Sequence, residues 1–235
     1  MGVVTVTVLS GGRAIDPVHQ MLSIDIRREL NRLPTALLVF MDGDLAARDY
    51  PVSDSGLFDP GKDIEIKARY EGDESAAGDR SLFKGVVVRH AMESNAQGTF
   101  LRVEMRDKAV KLAQPRRSQV LEKMSDSNLI KKLIADAGLA AGTLDATAPE
   151  HDTLVQYDCS DWDLIVSRAE ANGLVVAVQD GRIHVTQPDT GAVPALAWRS
   201  LARAQKFSTF LATRALHGAW LLNSASRFAA ARRRL

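Results

Sequence analysis

His151-Asp-Thr-Leu-Val-Gln-Tyr-Asp-Cys-Ser-Asp-Trp-Asp-Leu-Ile-Val-Ser-Arg-Ala-Glu-Ala-Asn-Gly173 joins a strand, a capped helix and a glycine stop in one block. Ser160 is placed to accept a hydrogen bond from a free amide of the first helical turn. Asp163, three residues on, supplies a carboxylate version of the capping box. Asp161 and Asp163 also suit the positive start of a helix. Trp162, Ile165, Val166 and Ala169 recur at helical spacing, and Asn172-Gly173 offers the left-handed exit that ends such a run. The spacing predicts a helix from about Asp161 to Asn172. Beyond it, Leu174 to Gln179 and Arg182 to Gln187 flank Asp180-Gly181, a strong short-range signal for a two-residue hairpin.

Upstream of the block the pattern changes to successive short strands. Val3 to Leu9, Gln20 to Arg27, Ala36 to Met41, Asp63 to Tyr70, Leu82 to His90 and Thr99 to Arg106 are apolar or alternating runs separated by turn residues. Many short antiparallel strands imply a barrel or a sandwich. Between Ser125 and Gly138 the period switches, and Leu129, Ile130, Leu133, Ile134 and Ala137 form one helical stripe closed by Gly138. Residues 140 to 150 are small and polar and read as a linker. Boundaries fall near 113 and near 150, no internal sequence repeat is evident, and the fold class is α+β, mostly β.

The order Val-Gln-Tyr, Ser-Asp-Trp-Asp, Ser-Arg-Ala-Glu-Ala-Asn-Gly and hairpin resembles the VgrG family of type VI secretion spikes, also called Rhs element Vgr proteins, and the related hubs of phage tails and contractile injection systems. Residues 63–70, 82–90, 106–112 and 125–139 fall in the order that family would place them, so the resemblance covers roughly residues 1 to 198. It implies antiparallel β-barrel domains with short helical insertions, as in phage baseplate hubs. On that template, 1–112 is a first β-barrel domain and 113–150 a helical insertion and linker. Residues 151–198 supply a helix plus hairpin that start a second barrel region, and 199–235 stand outside the pattern. Two similar barrels are implied by the resemblance alone. It further implies a homotrimer whose paired barrels form a pseudo-sixfold ring that matches a hexameric tube, with tube and baseplate proteins as partners and a mechanical role in coupling tube to puncturing tip. The family-signature positions are Gln156, Tyr157, Ser160, Asp161, Trp162, Asp163, Ser167, Arg168, Ala169, Glu170, Asn172 and Gly173, all expected to be structural.

Composition fits a folded protein, with 46% hydrophobic and 25% charged residues. Cys159 is the single cysteine, which excludes an intrachain disulfide or a cysteine-built zinc site. The N-terminus lacks a basic region followed by an apolar core, and no apolar run approaches the ~20 residues that span a bilayer. Assembly in the cytoplasm, without a signal peptide or stable membrane insertion, is expected, with export only as part of an injection particle. Residues 199–235 carry eight Lys or Arg and no Asp or Glu, leaving 22 basic against 29 acidic side chains elsewhere, a formal −7. The acidic body argues against a nucleic-acid surface, which needs clustered basic residues. An altered reading frame or truncated gene accounts for the abrupt loss of carboxylates after Trp198. A native basic amphipathic tail is the alternative. The length leaves no room for the further barrel and β-helical needle of longer relatives, so a hub fragment is expected.

Chemistry finds little purchase. Asp158, Asp161 and Asp163 invite a calcium reading, but their spacing fails the EF-hand pattern and capping explains them better. His19, His90, His151, His184 and His217 are scattered singly, and no nucleophile elbow, Walker loop or dinucleotide fingerprint occurs. No catalytic, cofactor-binding or metal-binding residue is assigned, and the protein is expected not to be an enzyme. Cys159 reads as a partly buried thiol and Trp162 as core. Arg168 and Glu170 read as a solvated helix face, with intersubunit ion pairs the alternative. Two rival functions remain: a cell-wall glycan or protein binding module built around the Ser125 to Leu139 helix, and a hydrolase assembled from distant Asp, His and Ser residues.

Overall fold

The computed structural model describes residues 3–43, 48–71, 79–114 and 116–189, together with strand backbone at 211–214 and 220–223. The chain forms two units. Of the described residues, the first comprises 3–26, 35–43, 48–71 and 79–107, the second 27–34, 108–114, 116–189, 211–214 and 220–223.

The first unit is a seven-stranded antiparallel sheet built from β1 (Val3–Ser10), β2 (Arg13–Ala14), β3 (Met21–Arg27), β4 (Thr35–Met41), β5 (Asp63–Glu71), β6 (Arg80–Asn95) and β7 (Gly98–Arg106), in the order β2-β1-β5-β6-β7-β4-β3. Alternation decides which face is buried. Ala36, Leu38 and Phe40 on β4 and Leu101, Val103 and Met105 on β7 point inward, while Arg102, Glu104 and Arg106 point out. Each fully buried side chain of this size contributes roughly 1.5–3 kcal/mol. Residues 48–60 add Val52 and Phe58 to the same core, with the Phe58 ring centroid 5.0 Å from that of Phe40. Buried Asp42 fixes this segment by accepting the amide protons of Val52 (2.8 Å) and Ser53 (2.7 Å). The mostly-β, antiparallel expectation holds, but among the described residues the sheet does not close into a barrel. β2 and β3 stay as its ends. The β2 edge is only two residues long with both side chains exposed, so it offers little to pair or bury.

In the second unit a 3-10 turn (Lys108–Ala113) leads to β8 (Arg116–Ser125), α1 (Asp126–Asp136), β9 (Ala140–Leu144), β10 (Glu150–Ser160), α2 (Asp161–Ala171), β11 (Val175–Gln179) and β12 (Arg182–Thr186). β8 and β10 form an antiparallel ribbon, and β11, β12 and β9 form a three-stranded sheet in which β9 runs parallel to β12. The expected hairpin is present. Asp180 (φ 51°) and Gly181 (φ 77°) both take the positive angles of a type I′ turn. Residues 140–144, read as linker, instead form β9. At Gly142 the close approach of the two strands requires a residue without a side chain, because a Cβ there would run into the His184 ring. Residues 27–34 belong to this unit through Asn31, whose N–H donates to the Val176 carbonyl and whose Oδ1 accepts the Val176 N–H, each at 2.8 Å. β13 (Leu211–Arg214) and β14 (Trp220–Asn223) pair with each other. The reading of 199–235 as a basic or frameshifted tail otherwise lies outside the described residues.

The second unit also contains a repeat that sequence alone does not reveal. Lys123 and Asp158, both at positive φ, Ser125 and Ser160, both helix N-caps, Asp126 and Asp161, both buried, and Gly138 and Gly173, both at positive φ, are each separated by 35 residues. The cross-strand pair Val120–Val155 in the ribbon has the same separation, so it lies on the local twofold axis relating β8-α1-β9 to β10-α2-β11. In the second copy the cap is reciprocal: the Asp163 N–H donates to Ser160 Oγ at 3.1 Å, and Asp163 Oδ2 accepts the Ser160 N–H at 3.3 Å. Ser160→Ala is expected to lower the stability of this unit by about 1 kcal/mol, the usual size of a lost serine cap. A urea unfolding curve checks it, and an unchanged midpoint would remove the cap from the account.

Candidate functional site

Helix packing brings the described polar residues of the second unit together around two buried aspartates. Asp126 is the first residue of α1 and only 2% exposed. From α2, Arg168 donates through Nε to its Oδ1 (2.6 Å) and through Nη2 to its Oδ2 (2.8 Å), a bidentate grip. Asn172 donates Nδ2–H to Asp126 Oδ2 (2.8 Å) and to the Arg168 carbonyl (2.8 Å). His151 Nε2, from β10, lies 3.2 Å from both Asp126 Oδ2 and Arg168 Nη2. Burial pushes the Asp126 carboxyl upward, but hydrogen bonds from Arg168, Asn172 and His151 and the Arg168 charge outweigh it and hold the group at about 2. The same contact raises the Arg168 guanidinium above its ordinary value.

Asp161 is the duplicated counterpart. Gln156 Nε2 donates to its Oδ1 (3.0 Å) and to the Cys159 carbonyl (3.0 Å), Arg117 Nη2 stands 3.2 Å from its Oδ2, and Gln119 Nε2 donates to Gln156 Oε1 (2.6 Å). Each helix thus begins with a buried carboxylate answered by a basic residue of the opposite strand, His151 in one copy and Arg117 in the other. Anionic groups at these positions also meet the positive helix ends.

The remaining signature positions divide between core and surface. Trp162 and Ala169 are buried in the hydrophobic core, and Cys159 packs against it half-buried. Ser167 and Glu170 are on the solvent side, and Glu170 Oε1 accepts from Asn31 Nδ2 at 2.9 Å. Gly173 (φ 69°) ends α2. Arg168 corrects the solvated-face reading. Its partner Asp126 is 42 residues away in sequence, so nothing local announced the pair. Tyr157 is 81% exposed. The three carboxylates once grouped for calcium go to separate partners: Asp158 to Arg116 (3.3 Å), Asp161 to Gln156 and Arg117, Asp163 to Ser160.

One pairing in the first unit bears on the hydrolase rival. Ser53 Oγ lies 2.8 Å from His90 Nε2. Asp42, the nearby buried carboxylate, spends both oxygens on the amides of Val52 and Ser53, so it serves the turn and does not orient the imidazole. No helix among the described residues is long and apolar enough to cross a membrane.

A family model described as the Alg8 N-terminal domain matches residues 1–202. No curated protein matches the sequence. Among solved structures, the chain is similar to the 43 kDa tail protein of prophage MuSo2 from Shewanella oneidensis, with TM-score 0.58 at 13% identity, over 78% of this chain and 53% of that one. It is also similar to a tail protein from Neisseria meningitidis MC58, with TM-score 0.57 at 17% identity, over 86% of this chain and 56% of that one. A third similar structure is the E. coli c3393 protein, described as a component of the type VI secretion system with structural similarity to the T4 bacteriophage tail proteins gp27 and gp5, with TM-score 0.54 at 14% identity, over 78% and 50%. The chain therefore shares the fold of phage-tail and type VI tail-like proteins, and it spans about half the length of these solved chains.

Proposed function

The chain belongs to the family of the Alg8 N-terminal domain, and from the tail-protein fold that it shares we propose that it is a structural hub of a contractile injection or phage-tail-like apparatus, of the VgrG kind. The observation that carries this reading is the fold held in common with three tail or secretion proteins over more than three quarters of the chain. In this role the protein is a homotrimer that couples the tube to the puncturing tip, with tube and baseplate proteins as partners. It assembles in the cytoplasm of the producing cell and travels only as part of the particle. It performs no catalysis. Support for that comes from the buried polar residues: Asp42, Asp126 and Asp161 each hold together turns, helices and strands, and their oxygens are engaged by amides, arginines and amide side chains.

Light scattering of the full chain at micromolar concentration tests the assembly. The expected mass is three times the 25.6 kDa of one chain. A strictly monomeric mass across a hundredfold concentration range would overturn the trimeric hub.

A further inference from the structure

The β8–β10 ribbon presents two faces of opposite character. Inward, Leu121 and Leu154 pair across the strands and pack on the hydrophobic core beneath α1 and α2. Outward, Val120 and Val155 pair directly on the local twofold axis, each 61% exposed, with Tyr157 beside them at 81%. The two β-branched side chains lie directly opposite each other and form a contiguous apolar strip open to water. Among the described strands the ribbon has no third member, so both of its edges keep outward backbone donors and acceptors. Its charges are uneven as well. Arg116 and Arg117 are matched by Asp158 and Asp161 at one end. The other end carries the exposed carboxylates of Glu122, Glu150 and Asp152, with Lys123 the one lysine or arginine that the described strands place there.

We propose that the outer face and edge of the β8–β10 ribbon is a docking surface for an extended strand of another polypeptide, one that sets alternate apolar side chains on Val120, Val155 and Tyr157 and a basic residue on the Glu122, Glu150 and Asp152 end. The proposal rests on the structural-hub reading for its setting and names the surface by which such a hub holds a partner. Strand addition supplies affinity through main-chain hydrogen bonds and specificity through alternate side chains. The excess of carboxylates at this end decides the charge of the partner, because a like-charged strand end there is repelled.

The test uses the full chain and a fluorescein-labelled Lys-Val-Thr-Val-Thr-Val-Lys peptide, with a Glu-flanked peptide of the same core as comparison. The basic peptide is expected to bind at least about tenfold more tightly than the acidic one, to weaken as salt rises, and to slow amide exchange in residues 116–125 and 150–158. Val155→Asp should abolish binding, and Val120→Thr, which keeps strand propensity, should weaken it. Circular dichroism confirms that both variants are folded. Equal binding of the two peptides, protection elsewhere in the chain, or protection of the ribbon by a chitin oligosaccharide in place of the peptide would overturn the proposal. A trimer seen by light scattering together with an inert ribbon would sink this surface while leaving the hub reading in place.

Discussion

Arg168→Ala is expected to lower the stability of the second unit by about 3 kcal/mol, the low end of the range for breaking a buried pair from one side. The loss is dominated by what it strands. Asp126 stays buried with its charge, keeping only Asn172 and His151 near Oδ2 and nothing on Oδ1, which Arg168 Nε had bound at 2.6 Å. The Arg168 side chain is itself partly exposed, at 26%. Water can therefore enter the space left behind, and the cost stays below the upper end of the range. Arg168→Lys should recover only part of it, since an ammonium cannot reproduce the two-pronged contact. The double variant Arg168→Ala, Asp126→Asn should be less destabilised than the two single losses added together, because the second change removes the stranded charge. Urea unfolding followed by tryptophan fluorescence measures the native chain and the four variants, the single Asp126→Asn among them. Strict additivity would mean that the two side chains act independently despite their contact.

This pair also marks where sequence reading stopped. The capped helix at 161–171 and the hairpin after it were legible because their signals are local: Ser160 with Asp163, Asn172-Gly173, and Asp180-Gly181 each act within a few residues. The helix at 126–136 was legible from its stripe, with Leu129, Ile130, Leu133 and Ile134 all buried. Ala140 to Leu144 was not, because Ala-Ala-Gly-Thr-Leu carries one large apolar side chain and so no apolar period, and the strand is fixed by β12 from far along the chain. β8 was hidden for a related reason: outward Arg116, Ser118 and Glu122 and inward Gln119 blur the alternation. The duplication escaped because it is written in backbone angles and caps more than in side chains. Leu133 in α1 stands where α2 has Arg168, and that difference lets α2 reach back to Asp126. The antiparallel, mostly-β class was readable from strand count, whereas closure into a barrel depends on edge pairing that no alternation encodes.

Acid unfolding should carry a signature of Asp126 alone. Its folded-state value of about 2 lies below the 3.8 of the free side chain, so the unfolded chain takes up this proton first as pH falls. The stabilisation is therefore complete above about pH 5 and is lost progressively as pH drops toward about 2, amounting to about 2 kcal/mol from the size of that separation. Other carboxylates titrate over the same window, so the informative quantity is the difference between the native chain and Asp126→Asn. At pH 7 the variant should be the less stable of the two, because an amide presents a donor nitrogen to a site already filled with the donors of Arg168 and Asn172. Between pH 5 and the acid limit the gap should narrow by about 2 kcal/mol as the native carboxylate is protonated and loses its advantage. A gap that stays constant over that range would mean the carboxylate carries no depressed value in the folded protein, and that the Arg168 contact is packing without charge.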